Sequence, residues 1–191
     1  HAGDSLKPDE TYTTTHSVVI PEGIFGRYYF YIETDKDNRI QEHAYDGNNI
    51  SQSDSTNVIL RPPVDLEVSD IIIPKSITNI GTASIKWKVT NIGNNSLVDN
   101  EWTDAIYLTK SPIFKKENSY IFPFKRTTSN GIPTNFEYFN NENIRIPNNI
   151  TPGDYYAYII TDTKDDVFEY TFYENNLLRS DTTIKITIAP W

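Results

Sequence analysis

A stretch of 24 residues near the end of this chain has already occurred near its start. Gly153 to Asn176 reads GDYYAYIITDTKDDVFEYTFYENN, and Gly26 to Asn49 reads GRYYFYIETDKDNRIQEHAYDGNN, aligned without a gap at an offset of 127. Gly26, Tyr28, Tyr29, Tyr31, Ile32, Thr34, Asp35, Glu42, Asn48 and Asn49 recur as Gly153, Tyr155, Tyr156, Tyr158, Ile159, Thr161, Asp162, Glu169, Asn175 and Asn176. A repeat at a fixed offset constrains architecture before any residue chemistry is considered. The offset is close to the ~100 residues of an immunoglobulin-like sandwich domain. The chain therefore reads as the back part of one module followed by one whole module.

Periodicity supplies the elements. Val18 to Ile20 reads as a strand that stops at Pro21, and Ile144 to Ile146, stopping at Pro147, repeats that pattern. From Tyr28 to Glu33, Tyr28, Phe30 and Ile32 share one face at period two, which predicts a strand with that row buried. Asp35 to Asn38 reads as a turn, Arg39 to Glu42 as a short returning strand, and Asn57 to Leu60 as the last strand of the first part. Arg61-Pro62-Pro63 is a stiff connector and marks the boundary between residues 1–62 and 63–191. Beyond it, Val64 to Ile73 is strand-like and ends at Pro74. Ala83, Ile85, Trp87 and Val89 alternate with Ser84, Lys86 and Lys88, the pattern of a half-buried strand. Trp102 to Thr109 is expected to continue that sheet. Tyr120, Phe122 and Phe124 alternate around Pro123, which puts their strand at an edge. Ile184, Ile186 and Ile188 form the final strand. No helical period runs for ten residues. The fold class is all-β: an immunoglobulin-like antiparallel β-sandwich of about seven strands, preceded by a partial module of the same kind.

Composition narrows the function classes. A net charge of −9 repels phosphate backbones and anionic lipid, which speaks against nucleic acid as a partner. No apolar run approaches the roughly 20 residues of a membrane-spanning helix, so no membrane insertion is expected. Cys and Met are both absent. There is thus no disulfide framework, thiolate metal site or cysteine nucleophile. Residue 1 is not a translation start, so the chain reads as processed or excised, with His1 and Ala2 a cloning remnant. The three histidines, His1, His16 and His43, all fall in the first part and form no metal-spaced pair. Neither a nucleophile elbow nor a phosphate loop is present. No catalytic residue and no enzyme activity is expected.

Pro63-Val64-Asp65-Leu66, Trp87-Lys-Val-Thr-Asn91-Ile-Gly93, Trp102-Thr-Asp104-Ala-Ile-Tyr107-Leu108, Pro152-Gly153-Asp-Tyr155-Tyr156 and Glu174-Asn175-Asn176 follow one another in order. Together they resemble the CARDB family, the cell-adhesion-related domain of bacterial and archaeal surface proteins. The resemblance covers about 63–190 as one full module and about 6–60 as the later part of another. It implies an immunoglobulin-like sandwich that occurs in tandem repeats of secreted or cell-surface proteins, as a spacer or adhesive module without catalytic activity. Neighbouring repeat modules of the same parent chain are the implied partners.

Three groups of residues remain as candidates. Asp35, Asp37 and Glu42, with Asp162, Asp165 and Glu169 in the second copy, are clustered oxygen donors of the kind calcium takes, though without the EF-hand spacing. The other reading is that the aspartates close a hairpin and the glutamates accept local hydrogen bonds, with no cofactor. Phe122, Phe124, Phe136 and Tyr138 offer rings for stacking on a surface glycan or protein, or else for packing. Trp87, Tyr155, Asn175 and Asn176 have structural roles: a core tryptophan, a corner tyrosine whose hydroxyl ties a loop, and turn asparagines. Two functions stay open: an extracellular spacer or adhesive module, and an accessory carbohydrate-binding module of a secreted hydrolase. Residues 1–62 cannot close a sandwich, so they are expected to pack on 63–191 or to pair with another chain.

Overall fold

The computed structural model describes residues 7–44, 46–98, 101–128 and 131–188. His1, Ala2 and the start of the lead-in lie outside them. The chain divides into two units, His1–Arg61 and Pro62–Trp191.

The first unit holds β1 (Gly26–Tyr28), β2 (Tyr31–Glu33), β3 (Ile50–Gln52) and β4 (Thr56–Val58). β1 pairs antiparallel with β4, and β2 with β3. They make one interrupted hairpin. The sequence expectation differs here in four ways. Val18–Ile20 and Arg39–Glu42 are not strands, and Tyr28–Glu33 is broken at Tyr29-Phe30. The row of Tyr28, Phe30 and Ile32 is exposed rather than buried. Alternation marks which side chains share a face. It cannot supply the second sheet that would cover them.

The second unit holds eight strands. They are β5 (Leu66–Ile72), β6 (Ser76–Thr78), β7 (Thr82–Asn91), β8 (Glu101–Thr109), β9 (Tyr120–Thr127), β10 (Glu137–Arg145), β11 (Gly153–Ile160) and β12 (Leu177–Thr187). One sheet runs β10-β7-β5 and the other β6-β12-β11-β8-β9. The strand beyond the expected seven is β6. After Pro74 the chain leaves β7 and pairs parallel with β12, so the first strand serves both sheets in turn. Trp102–Thr109 does not continue the sheet of Ala83–Val89. It lies in the opposite one, beside β11. The edge position of Pro123 in β9 holds.

Between the sheets the inward rows meet. Ala83, Ile85, Trp87 and Val89 of β7 face Trp102, Ile106 and Leu108 of β8, Tyr155, Ala157 and Ile159 of β11, and Ile184 and Ile186 of β12. The protein is an all-β, immunoglobulin-like sandwich over this unit. A second, smaller cluster lies on the outer side of the five-stranded sheet. Ala105, Tyr107 and Tyr158 are buried there beneath Phe114, whose ring sits 5.1 Å from Tyr107 and 5.2 Å from Tyr158. Burying both faces of β8 explains why it carries no run of exposed polar residues.

The sequence repeat is also a repeat of hydrogen bonds. Thr34 N–H donates to Asn49 O at 2.9 Å, and Thr161 N–H to Asn176 O at 3.0 Å. Phe30 N–H donates to Ser53 Oγ at 2.9 Å, and Ala157 N–H to Ser180 Oγ at 3.0 Å. Pairings Tyr31↔Gln52, Ile32↔Ser51 and Glu33↔Ile50 match Tyr158↔Arg179, Ile159↔Leu178 and Ile160↔Leu177. Even the positive φ angles recur: Gly26 with Gly153, Asp35 with Asp162, Asn38 with Asp165, His43 with Tyr170. The β1–β4 hairpin is the counterpart of β11–β12.

Candidate functional site

The acidic loop after β11 is built by its own backbone. Asp162 sits at φ 47°, which Asp tolerates because its short carboxylate bonds locally. Its Oδ1 accepts Asp166 N–H at 3.0 Å and its Oδ2 accepts Val167 N–H at 2.9 Å. Asp35 does the same with Arg39 and Ile40, both at 2.8 Å. Both carboxylate oxygens thereby help to close a turn. The turn drops Val167 into the core and brings Glu169 to the first strand of its unit. Glu169 Oε1 accepts Leu66 N–H at 2.5 Å, and Oε2 accepts from Asn176 Nδ2. Asn175 Nδ2 donates to Asp65 Oδ1 at 2.7 Å. Burial pushes the Glu169 carboxyl up to about 7, against the two hydrogen bonds that favour the anion. Burial likewise raises Asp162.

The other acidic candidates are placed apart from these roles. Asp37 pairs with Arg39 at 3.1 Å on the surface, and Asp165 is exposed. Among the described residues no three His, Cys, Asp or Glu side chains gather into a group that could hold a metal ion. His16 and His43 are exposed.

The aromatic candidates do not form one exposed row. Phe122, Phe124 and Tyr138 are partly buried and pack against the core, and Phe136 alone of the four is exposed. The reason is register. Phe122 and Phe124 lie opposite Ile106 and Asp104, the inward positions of β8. Tyr138 lies opposite Val89. Its ring meets Trp102 at 6.0 Å, and burial raises its hydroxyl far above the ordinary value.

Near them lies a polar cluster that residue spacing does not reveal. Asp104, fully buried, accepts Trp102 Nε1–H at 3.1 Å and the Thr161 hydroxyl at 2.7 Å through Oδ1. Its Oδ2 takes Arg126 Nε–H at 3.1 Å, while Arg126 Nη1 reaches Glu142 at 2.9 Å. The guanidinium lies 5.5 Å from the Trp87 ring centre, a cation–π distance. Since β9 and β10 belong to different sheets, Arg126 bolts the sheets together at their open edge. Burial raises the Asp104 carboxyl, and Thr161 and Arg126 oppose it. The only sequence signal was Asp104 in the Trp-Thr-Asp motif.

Tyr155 lies in the core with its hydroxyl donating to Thr151 O at 2.7 Å, which ties the β10–β11 loop to the strand. Trp87 is buried at the centre of β7. One exposed aromatic group was not singled out from the sequence. Tyr170, Phe172 and Tyr173 stand in solvent on the loop before β12, with Tyr170 at φ 58°. A bulky residue in that region of backbone space is uncommon.

No protein-family model matches the chain, and no curated protein matches it. Solved structures do. The CARDB domain of the PF1109 protein from Pyrococcus furiosus, in complex with di-metal ions, is similar at TM-score 0.46 and 16% identity, over 66% of this chain and 96% of that one. Spo0M, a sporulation control protein from Bacillus subtilis, is similar at TM-score 0.42 and 14% identity, over 66% of this chain and 51% of that one. A beta-glucosidase from Listeria innocua is similar at TM-score 0.39 and 10% identity, over 66% of this chain and 17% of that one. The fold assignment itself rests on the sheets and their register.

Proposed function

We propose that the protein is a non-enzymatic piece of a bacterial surface protein built from tandem sandwich modules, and that its module serves as an extracellular spacer. One observation carries this. What the chain repeats is scaffold: Thr34, Asp35 and Asn49, like Thr161, Asp162, Glu169 and Asn176, put polar atoms into holding turns and strands together. A recognition or catalytic module would be expected to repeat groups aimed at solvent. The ordered motifs that resemble the CARDB family support the same reading. This reading gives calcium no role: the carboxylates of Asp35 and Asp162 hold backbone N–H groups, and that local bonding accounts for their recurrence. The melting curve is expected to be the same in calcium and in chelator.

The second reading is an adhesive or carbohydrate-binding module. Its support has moved from residues 122–138 to the exposed loop of Tyr170, Phe172 and Tyr173. Exposed rings of this kind stack on the apolar faces of sugars and anchor protein contacts. The full chain should be probed on arrays of glycans and host matrix proteins. The spacer reading expects no saturable binding. Saturable binding lost in Phe172→Ala with Tyr173→Ala, and kept in Phe139→Ala, which removes an exposed ring of β10, would replace it with the adhesive one.

A further inference from the structure

The hairpin of the first unit has a sheet edge whose partner can be read from its counterpart. In the second unit, β11 is paired on both sides: with β12, and with β8 through Tyr156↔Thr109, Ala157↔Leu108, Tyr158↔Tyr107, Ile159↔Ile106 and Ile160↔Ala105. The residues 127 earlier are Tyr29, Phe30, Tyr31, Ile32 and Glu33. Among the described residues β2 pairs with β3 alone. The difference shows in the side chains. Tyr158 and Ile159 are 3% and 0% exposed, whereas Tyr31 and Ile32 are 65% and 67% exposed.

Two further observations bear on the front half of such a module as a whole. Glu169 takes a backbone N–H from the first strand of its unit, at Leu66. In its counterpart, Glu42, the Oε2 atom is buried and has no hydrogen-bond partner among the described residues. A buried carboxylate oxygen without a donor is costly, and one backbone N–H would relieve it. Beside the hairpin runs an apolar groove of about 670 Å³, lined by Val19, Ile20, Ile24, Phe30, Val58 and Ile59.

We propose that the edge Tyr29–Glu33 is a strand acceptor, and that its occupant is an antiparallel strand of the β8 kind supplied by the front half of another sandwich module. The register follows from the offset. The donor's apolar residues at the Ile106 and Leu108 positions would stand opposite Ile32 and Phe30 on the inner face. Its tyrosine would stand opposite Tyr31 on the outer face, as Tyr107 does opposite Tyr158. Backbone hydrogen bonds supply affinity in such strand addition, and the alternating pockets supply register. The proposal rests on reading residues 1–62 as the back part of a module like the second, and it holds whether the modules space or adhere.

A synthetic peptide of residues 101–111, EWTDAIYLTKS, is the probe. It should be titrated onto the full chain, with a scrambled peptide as control, and read by amide hydrogen exchange in NMR. Expected is at least tenfold slower exchange across Tyr29–Glu33 at saturation, no change across Tyr156–Ile160, and loss of the effect in Ile32→Asp. Cross-strand signals between Tyr31–Glu33 and Ile50–Gln52 check that the hairpin is intact. An intact hairpin that the peptide does not protect overturns the acceptor alone. Absence of those cross-strand signals overturns the reading of the unit as well. Protection without peptide that grows with protein concentration would assign the edge to a second copy of this chain and overturn the proposed occupant.

Discussion

Burial holds the Glu169 carboxyl at about 7, above its ordinary 4.5. A carboxyl whose folded pKa is raised binds more protons in the folded than in the unfolded state between those two values, so stability falls as pH rises through that window. Its contribution is fully present below about pH 4.5 and lost by about pH 7, at most about 3 kcal/mol for this group. Asp104 and Asp162 are shifted in the same direction by burial. The second unit should therefore melt at a higher temperature at pH 5 than at pH 7.5, and Glu169→Gln should flatten that slope, because Gln stays neutral at both. Equal slopes in the two proteins would show that Glu169 does not titrate in this window. Gly93 makes a different kind of demand. A Cβ there would lie 2.6 Å from Asp65 N and 2.7 Å from Pro63 O. Those are backbone atoms held in turn by Asn91, whose Oδ1 accepts Gly93 N–H and Asp65 N–H. Gly93→Ala should cost about 1–3 kcal/mol by overpacking, read by denaturant unfolding. The segment that excludes a side chain there is Pro63–Asp65, nearly 30 positions earlier in the chain, and nothing local to the Asn-Ile-Gly triplet reveals it.

At the scale of the element, the register shift between Tyr156 and Tyr158 and the break at Tyr29-Phe30 carry the same bond in two surroundings. Ser180 is buried, accepts Ala157 N–H and donates to Thr182 O. Ser53 does the equivalent for Phe30 while exposed. Leaving a buried N–H unpaired costs about 1–3 kcal/mol, whereas water replaces the hydroxyl at the exposed site. Ser180→Ala should accordingly destabilise the protein by that amount, and Ser53→Ala by less than about 0.5 kcal/mol. Phe114 tests the outer cluster. It covers Tyr107 and Tyr158 from a segment without regular structure. Phe114→Ala should cost about 3 kcal/mol or somewhat less, because Phe114 is itself only partly buried. Strand existence was readable from period two in β7, while β6 and most of β10 carry no such alternation and were not expected. Sheet membership was not readable. β8 reads as a strand as β7 does, yet it lies across the core from it.

For the whole molecule, the two units differ in how much of their surface they cover. An isolated two-stranded hairpin is marginal in water, while an eight-stranded sandwich buries a continuous core. Hydrogen exchange should find the amides of Tyr155–Ile160 protected by orders of magnitude more than those of Tyr28–Glu33, although the two segments share most of their residues. Calorimetry should show the second unit's transition unchanged when the first unit's hairpin is disrupted by Ile50→Pro. A single transition shifted by that substitution would mean that the two units unfold together.

The sequence by itself determined the repeat, the all-β class, the turn aspartates and the inward row of β7, with Ile184 and Ile186 of β12. These are local: period two, turn chemistry and an identical stretch 127 residues on all read without knowing what lies across the core. Only the tertiary structure decided that Phe122, Phe124 and Tyr138 turn inward, that Arg126 joins the sheets through Asp104 and Glu142, and that the same tyrosine-rich strand is core in one unit and surface in the other. The physical reason is that burial belongs to a pair of faces. A strand carries its own pattern, but whether that pattern meets water depends on residues far away in the chain.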